Sequence, residues 1–180
     1  IGTTRLFGEF EHSDYEDRPL FPQLERDALR WGGGVEQYLP LRVPWAEGRP
    51  AFLQIANALH TLDTEGAPGL LPFRGDYDHD RYRTGAWLHL PLPHDLSFDL
   101  SVSAAWEDYA NRNVIHLLTE FDSARRDDRV IEVGTRATWA LHETVDVELS
   151  YRFLDRTSNV LLYEYDRHVA GMTLRFHPHE

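Results

Sequence analysis

The stretch Leu96-Ser97-Phe98-Asp99-Leu100-Ser101-Val102-Ser103-Ala104-Ala105-Trp106 alternates two kinds of residue without a break. Leu96, Phe98, Leu100, Val102, Ala104 and Trp106 fall on one side, and Ser97, Asp99, Ser101, Ser103 and Ala105 on the other. A period of two is that of a β-strand with two unlike faces, whereas an amphipathic helix would repeat every three to four residues. The pattern returns in Ile131, Val133, Thr135, Ala137, Trp139 and Leu141 against Glu132, Gly134, Arg136 and Thr138. It returns again in Val145, Val147, Leu149, Tyr151 and Phe153 against Asp146, Glu148, Ser150 and Arg152, with only His142-Glu143-Thr144 between the two runs, which is a tight hairpin turn.

Extended outward, the same reading predicts eight strands over residues 3–12, 28–39, 51–62, 81–92, 96–109, 129–141, 145–156 and 168–176 in one β domain spanning 1–180. The links at 40–50, 93–95 and 142–144 are short or moderate, and those at 13–27, 63–80, 110–128 and 157–167 are long and polar. Long links at one end and short ones at the other match the loops and turns of an outer-membrane barrel. A loose repeat supports hairpin units: Gly34, Gly85 and Gly134 each precede Leu39-Pro40-Leu41, Leu90-Pro91-Leu92 or Trp139-Ala140-Leu141 by five residues. Pro40 and Pro91 sit at strand ends, where a missing amide donor costs least.

Composition bounds the function. With 18 basic and 30 acidic residues the net charge is −12, which argues against a partner rich in phosphate such as nucleic acid. Every basic residue is arginine, suited to bidentate carboxylate pairing, and the absence of cysteine excludes disulfides and thiolate chemistry. No apolar run approaches the roughly 20 residues of a membrane helix, but a barrel strand needs only about 9–11 alternating residues, so a mean hydropathy of −0.49 is compatible with spanning by strands. The stretch after Ile1 lacks a basic and then apolar leader pattern, which implies a processed or partial chain.

If the apolar faces meet lipid, then Asp99, Glu107, Glu132, Arg136, Asp146, Glu148, Arg152 and Arg175 line the lumen, where both signs of charge can pair across strands. In an eight-stranded barrel such a network fills the interior as a plug; in a wider one it forms a charged constriction. Trp31, Trp45, Trp87, Trp106, Tyr109, Trp139, Tyr151 and Phe153 are expected as interfacial girdles. Asp76, Asp78 and Asp80 stand at alternate positions as calcium ligands often do, but Arg81 and Trp87 occupy the places of the EF-hand glycine and glutamate, so a solvated acidic loop is the simpler reading. The ten histidines show no H-E-x-x-H spacing, and Ser158 with His168 has no acid partner evident in sequence. No cofactor and no enzymatic activity are expected.

Several segments together resemble one family region: Gly34-Val35-Glu36-Gln37-Tyr38-Leu39-Pro40-Leu41, Gly75-Asp76-Tyr77-Asp78, Leu90-Pro91-Leu92-Pro93, Trp106-Glu107-Asp108-Tyr109, Arg126-Asp127, Ser158-Asn159-Val160, and Tyr165-Asp166-Arg167-His168 through Arg175-Phe176. The region is the C-terminal β-barrel of bacterial outer-membrane proteins that often carry tetratricopeptide repeats upstream, including exopolysaccharide-export porins and surface-lipoprotein assembly modifiers. The resemblance implies an all-β, antiparallel transmembrane β-barrel of about eight strands, or the C-terminal part of a larger barrel, in the outer membrane of a Gram-negative cell. It implies as partners the lipid bilayer, the barrel-assembly machinery, and further barrel strands or an upstream helical-repeat domain. Phe176 occupies the place of the terminal aromatic that assembly machinery reads, although His177-Pro178-His179-Glu180 follow it. The expected function is a pore, export conduit or membrane scaffold. A soluble or periplasmic β-barrel or sandwich binding a small ligand, and an outer-membrane hydrolase, are the alternatives.

Overall fold

The computed structural model describes residues 2–13, 26–46, 48–66, 78–112 and 125–176. They form one antiparallel sheet in the order β1 (Thr3–Ser13), β2 (Arg26–Leu41), β3 (Ala51–Gly66), β4 (His79–Leu92), β5 (Leu96–Arg112), β6 (Arg125–His142), β7 (Val145–Ser158) and β8 (Tyr165–Phe176). The fold is therefore all-β, with eight antiparallel strands each beside its sequence neighbours. Every predicted strand is present, most of them longer by a few residues toward the long links. Among the described residues β1 and β8 do not pair with each other, so the sheet has two open edges. No described helix is long and apolar enough to cross a membrane, which says nothing of strands.

The register fixes which side chains share a face. On β5, Ser97, Asp99, Ser101, Ser103, Ala105, Glu107 and Tyr109 stand opposite Pro91, His89, Trp87, Gly85, Arg83, Arg81 and His79 of β4. From Ser97 to Glu107 the same residues stand opposite Thr138, Arg136, Gly134, Glu132, Val130 and Asp128 of β6. Carried across the sheet, this charged face includes Arg5, Glu9, Arg30 and Glu36 at one edge and Glu148, Arg152, Arg156 and Arg175 toward the other. The second face carries Leu6, Val35, Ile55, Leu88, Val102, Val133, Leu149 and Met172.

Burial is distributed against the usual rule. In β5, β6 and β7 every buried residue belongs to the charged face: Ala105, Glu107, Tyr109, Arg126, Asp128, Val130 and Glu148. The apolar face is the bare one, with Leu6, Leu59, Leu149, Met172 and Phe176 all exposed, Met172 to 69%. Within the described strands, the aspartates on that face, Asp63, Asp80, Asp108, Asp127, Asp155 and Asp166, all lie at the end of the long links.

Turn chemistry closes the other end. His94 and Asp95 between β4 and β5 take positive φ (61° and 57°), the left-handed region that a tight hairpin requires. Between β6 and β7, Glu143-Thr144 make the turn, with a bulge between Ala140 and His142. The link from β2 to β3 folds over the β4–β5 hairpin: Trp45 Nε1 donates to the Pro91 carbonyl at 3.1 Å and Arg49 Nη2 to the Leu92 carbonyl at 2.8 Å.

Candidate functional site: a charged sheet face

All eight residues predicted to share a polar face do so, and several pair as expected. Glu148 is held between Arg175 at 2.8 Å and Arg136 at 3.6 Å, and Arg152 reaches Glu132 at 3.4 Å. Asp99 bonds His89 Nδ1 at 2.7 Å, although Arg136 is its register partner on β6. Asp146 stands opposite Arg175. Each of these pairs joins neighbouring strands, where side chains on one face stand opposite each other across the ladder.

A denser network lies on the same face at the long-link end. Glu107 and Asp128 are 4% and 3% exposed. Glu107 accepts from the Tyr109 hydroxyl at 3.0 Å and pairs with Arg81 at 3.4 Å and Arg156 at 3.1 Å. Arg156 also donates to Asp128 at 2.9 Å, and Asp128 in turn binds Arg126 through its Nε at 3.0 Å and through Nη2. The Arg126 guanidinium lies over the rings of Tyr109 and Tyr163, 4.2 and 3.5 Å from their centroids. Tyr163 comes from the short 3-10 turn Leu161–Tyr163, and that link is tied down by Asn159, whose Nδ2 donates to the Arg125 carbonyl at 2.7 Å. Four strands and one link are thus cross-tied at one end. Burial of two carboxylates is sustainable because Asp128 accepts several charge-assisted hydrogen bonds and Glu107 is paired with two arginines.

Glu107 belongs to the predicted set, whereas Arg81, Arg126, Asp128 and Arg156 do not. Counting by twos from Glu132 and Arg152 reaches Asp128, Arg126 and Arg156, so the parity signal was present in the sequence.

Two hollows of about 440 and 340 Å³ open on the charged face and share Trp87, Ser101 and Glu132 in their walls. Trp87 corrects one expectation: it has the parity of Arg83, Gly85 and His89 and so stands among charges. Tyr109 likewise lies on the charged face, and Trp45 in the β2–β3 link. Trp31, Trp106, Trp139, Tyr151 and Phe153 are on the apolar face as expected of girdle residues. Of the proposed calcium carboxylates, Asp76 lies outside the described residues, the Asp78 carbonyl accepts from Ala110 N–H at 2.9 Å, and Asp80 accepts from the Thr61 hydroxyl at 2.7 Å. Ser158 and His168 occupy opposite faces, with the His168 Nδ1 bonded to the Tyr151 hydroxyl at 2.7 Å.

The family model described as "Putative beta-barrel porin 2" matches residues 92–177, which contain β5 to β8 and the turn before them. This half of the sheet is thus similar to a β-barrel porin family. No curated protein and no solved structure matches the chain.

Proposed function

We propose that the sheet is a section of the wall of a bacterial outer-membrane β-barrel, with the charged face toward an aqueous lumen and the apolar face toward lipid, and that it serves as a passive pore or conduit without enzymatic activity. One observation carries this reading: in β5, β6 and β7 the buried residues lie on the ionic face, whereas large apolar residues of the opposite face, such as Trp139 and Leu149, are exposed. A water-soluble barrel or sandwich reverses that arrangement, and exposed apolar patches of this extent mark a membrane or partner surface. The dimensions agree. From Leu96 to Trp106 the apolar side of β5 runs ten steps of about 3.4 Å, and a tilt of about 35–45° reduces that to roughly 24–28 Å, against a lipid-facing band of about 25 Å. The aspartate row bounds the band at the long-link end, the loop side of such barrels.

The open edges favour a larger barrel over an eight-stranded closed one. In lipid each unpaired backbone group costs several kcal/mol, so β1 and β8 must meet further strands. The bilayer and the barrel-assembly machinery are the other partners of this reading. The motif resemblance supports a conduit of the tetratricopeptide-linked type.

The test is to refold the protein in detergent micelles and run it boiled and unboiled on a denaturing gel beside a detergent-free control. A β spectrum with a heat-dependent mobility shift, obtained only with detergent, followed by conductance in a planar bilayer, is the expected result. A monodisperse β protein without detergent would refute it in favour of a soluble binder.

A further inference from the structure

We infer that a groove on the apolar face, at the long-link end, holds the headgroup of a membrane lipid that carries phosphoethanolamine. The inference rests on that face meeting lipid, as proposed above. A hollow of about 710 Å³ opens there, with Leu59, Tyr82 and Trp106 in its wall and Arg129 beside them. Tyr82 and Trp106 stack with ring centroids 5.7 Å apart, and both are exposed. The Tyr82 hydroxyl donates to Asn57 Oδ1 at 3.0 Å, so its hydrogen is already placed and the stacked rings offer an apolar surface.

Register sets two rows of charge at successive depths of this groove. Arg129 stands opposite Trp106, which stands opposite Tyr82. One step farther toward the long links on the same face, Asp127 stands opposite Asp108, and Asp108 opposite Asp80. All three aspartates line the hollow. Carboxylates directly opposite one another repel, and among the described residues none of the three has an ion pair. Arg129 is exposed and likewise has no ion pair among the described residues. Within the described strands it is the one arginine of the apolar face on the membrane side of Asp108 and Asp127.

The order of these charges selects the headgroup. Arg129 lies in the row of Trp106, where the apolar band ends, and a guanidinium binds phosphate through paired N–H donors. The aspartates follow two residues farther out, about 7 Å along the strand and roughly 5 Å along the membrane normal at a tilt of about 35–45°. Phosphoethanolamine presents its charges in the same order, with the phosphate on the acyl side and the ammonium two carbons beyond it. Its ammonium, like that of lysine, brings three N–H donors to three carboxylates. A phosphoglycerol headgroup brings no cation to the aspartates, and a phosphocholine ammonium has no N–H to donate. The Tyr82 and Trp106 rings lie at the depth where the acyl chains begin, as aromatic residues of a membrane interface do.

The experiment titrates the full-length protein in detergent with phosphatidylethanolamine, phosphatidylcholine or phosphatidylglycerol and counts retained lipids by native mass spectrometry. Saturable retention of phosphatidylethanolamine is expected, about tenfold tighter than that of the other two. Arg129→Gln should weaken it about tenfold, and Asp108→Asn with Asp127→Asn should reverse the preference toward phosphatidylglycerol, a change of selectivity that mere loss of structure does not produce. Arg152→Ala, on the opposite face, should leave retention unchanged, and the heat-dependent gel shift shows that each variant is folded. Equal retention of the three lipids overturns the site, as does a preference that the Arg129 and aspartate variants leave intact. Retention of all three that needs magnesium and is abolished by a chelator overturns it too, by assigning the aspartates to a bridging metal. The gel shift separates the two claims: a protein that shows it only with detergent and retains no phosphatidylethanolamine loses this site alone, whereas a protein monodisperse without detergent loses the lipid-facing assignment and the site with it.

Discussion

Replacing Leu149 by arginine puts a guanidinium at the centre of the apolar face, between Ala137 on β6 and Met172 on β8. Leu149 is 54% exposed, so the new side chain meets no steric obstacle, and its effect reports the medium outside the sheet. If that medium is lipid near the midplane, the cost is about 2–4 kcal/mol, a shift of roughly 30- to 1000-fold in the folded fraction. Thr173→Arg supplies the contrast. Thr173 follows Met172 by one residue, lies on the charged face opposite Glu148, and gives the new guanidinium a carboxylate neighbour. Its expected cost is under about 1 kcal/mol. The assay is equilibrium refolding of the full-length protein into phosphatidylcholine vesicles across a urea series, read by the heat-dependent gel shift. Equal costs for the two variants, or a larger one for Thr173→Arg, would refute the assignment of faces. A soluble protein with the apolar face in water would tolerate both.

Asp128→Ala should lower stability by about 3–5 kcal/mol, because Arg126 and Arg156 lose a buried acceptor, and the urea midpoint checks it. Arg152→Ala, which breaks the more exposed pair with Glu132, should cost under about 1 kcal/mol by the same measurement. Gly34→Ala should destabilise by roughly 1–3 kcal/mol, because a Cβ there would lie 2.3 Å from the Asn57 carbonyl oxygen across the ladder; Gly85→Ala, with 3.0 Å to Ser103 Cβ, should cost less. In the cysteine-free chain, Leu6→Cys with Met172→Cys should form no intramolecular disulfide under oxidation, and a monomeric cross-linked band on a non-reducing gel would show that β1 and β8 close on each other.

The fold was legible because both faces of each strand carry a signal: Leu96 to Trp106 specify the period, and their neighbours specify a polar environment. The strand ends were less legible. Alternation of apolar residues starts β6 at 129 and leaves Asp128 and Arg126 in a link, although their parity matches Glu132. Trp87 shows a different limit. Tryptophans near strand ends suggest a girdle, and only counting along β4 from Arg83 to His89 places this one among charges. The open edges are a property of pairing between β1 and β8, strands far apart in the chain, and no alternation within either strand encodes it. What alternation also leaves open is which face meets water, since a soluble barrel shows the same period. Burial supports the reading proposed above, in which the charged face meets water, through Glu107 and Asp128 enclosed and Met172 bare.

The most direct test of the central claim places single cysteines at each position from Leu96 to Trp106 and measures labelling by a membrane-impermeant thiol reagent applied to both sides of the bilayer. The account predicts protection at the even positions, including Leu100 and Val102, and labelling at the odd ones, including Asp99 and Ser101, except at the buried Ala105. Labelling of the even positions with protection of the odd ones would contradict it.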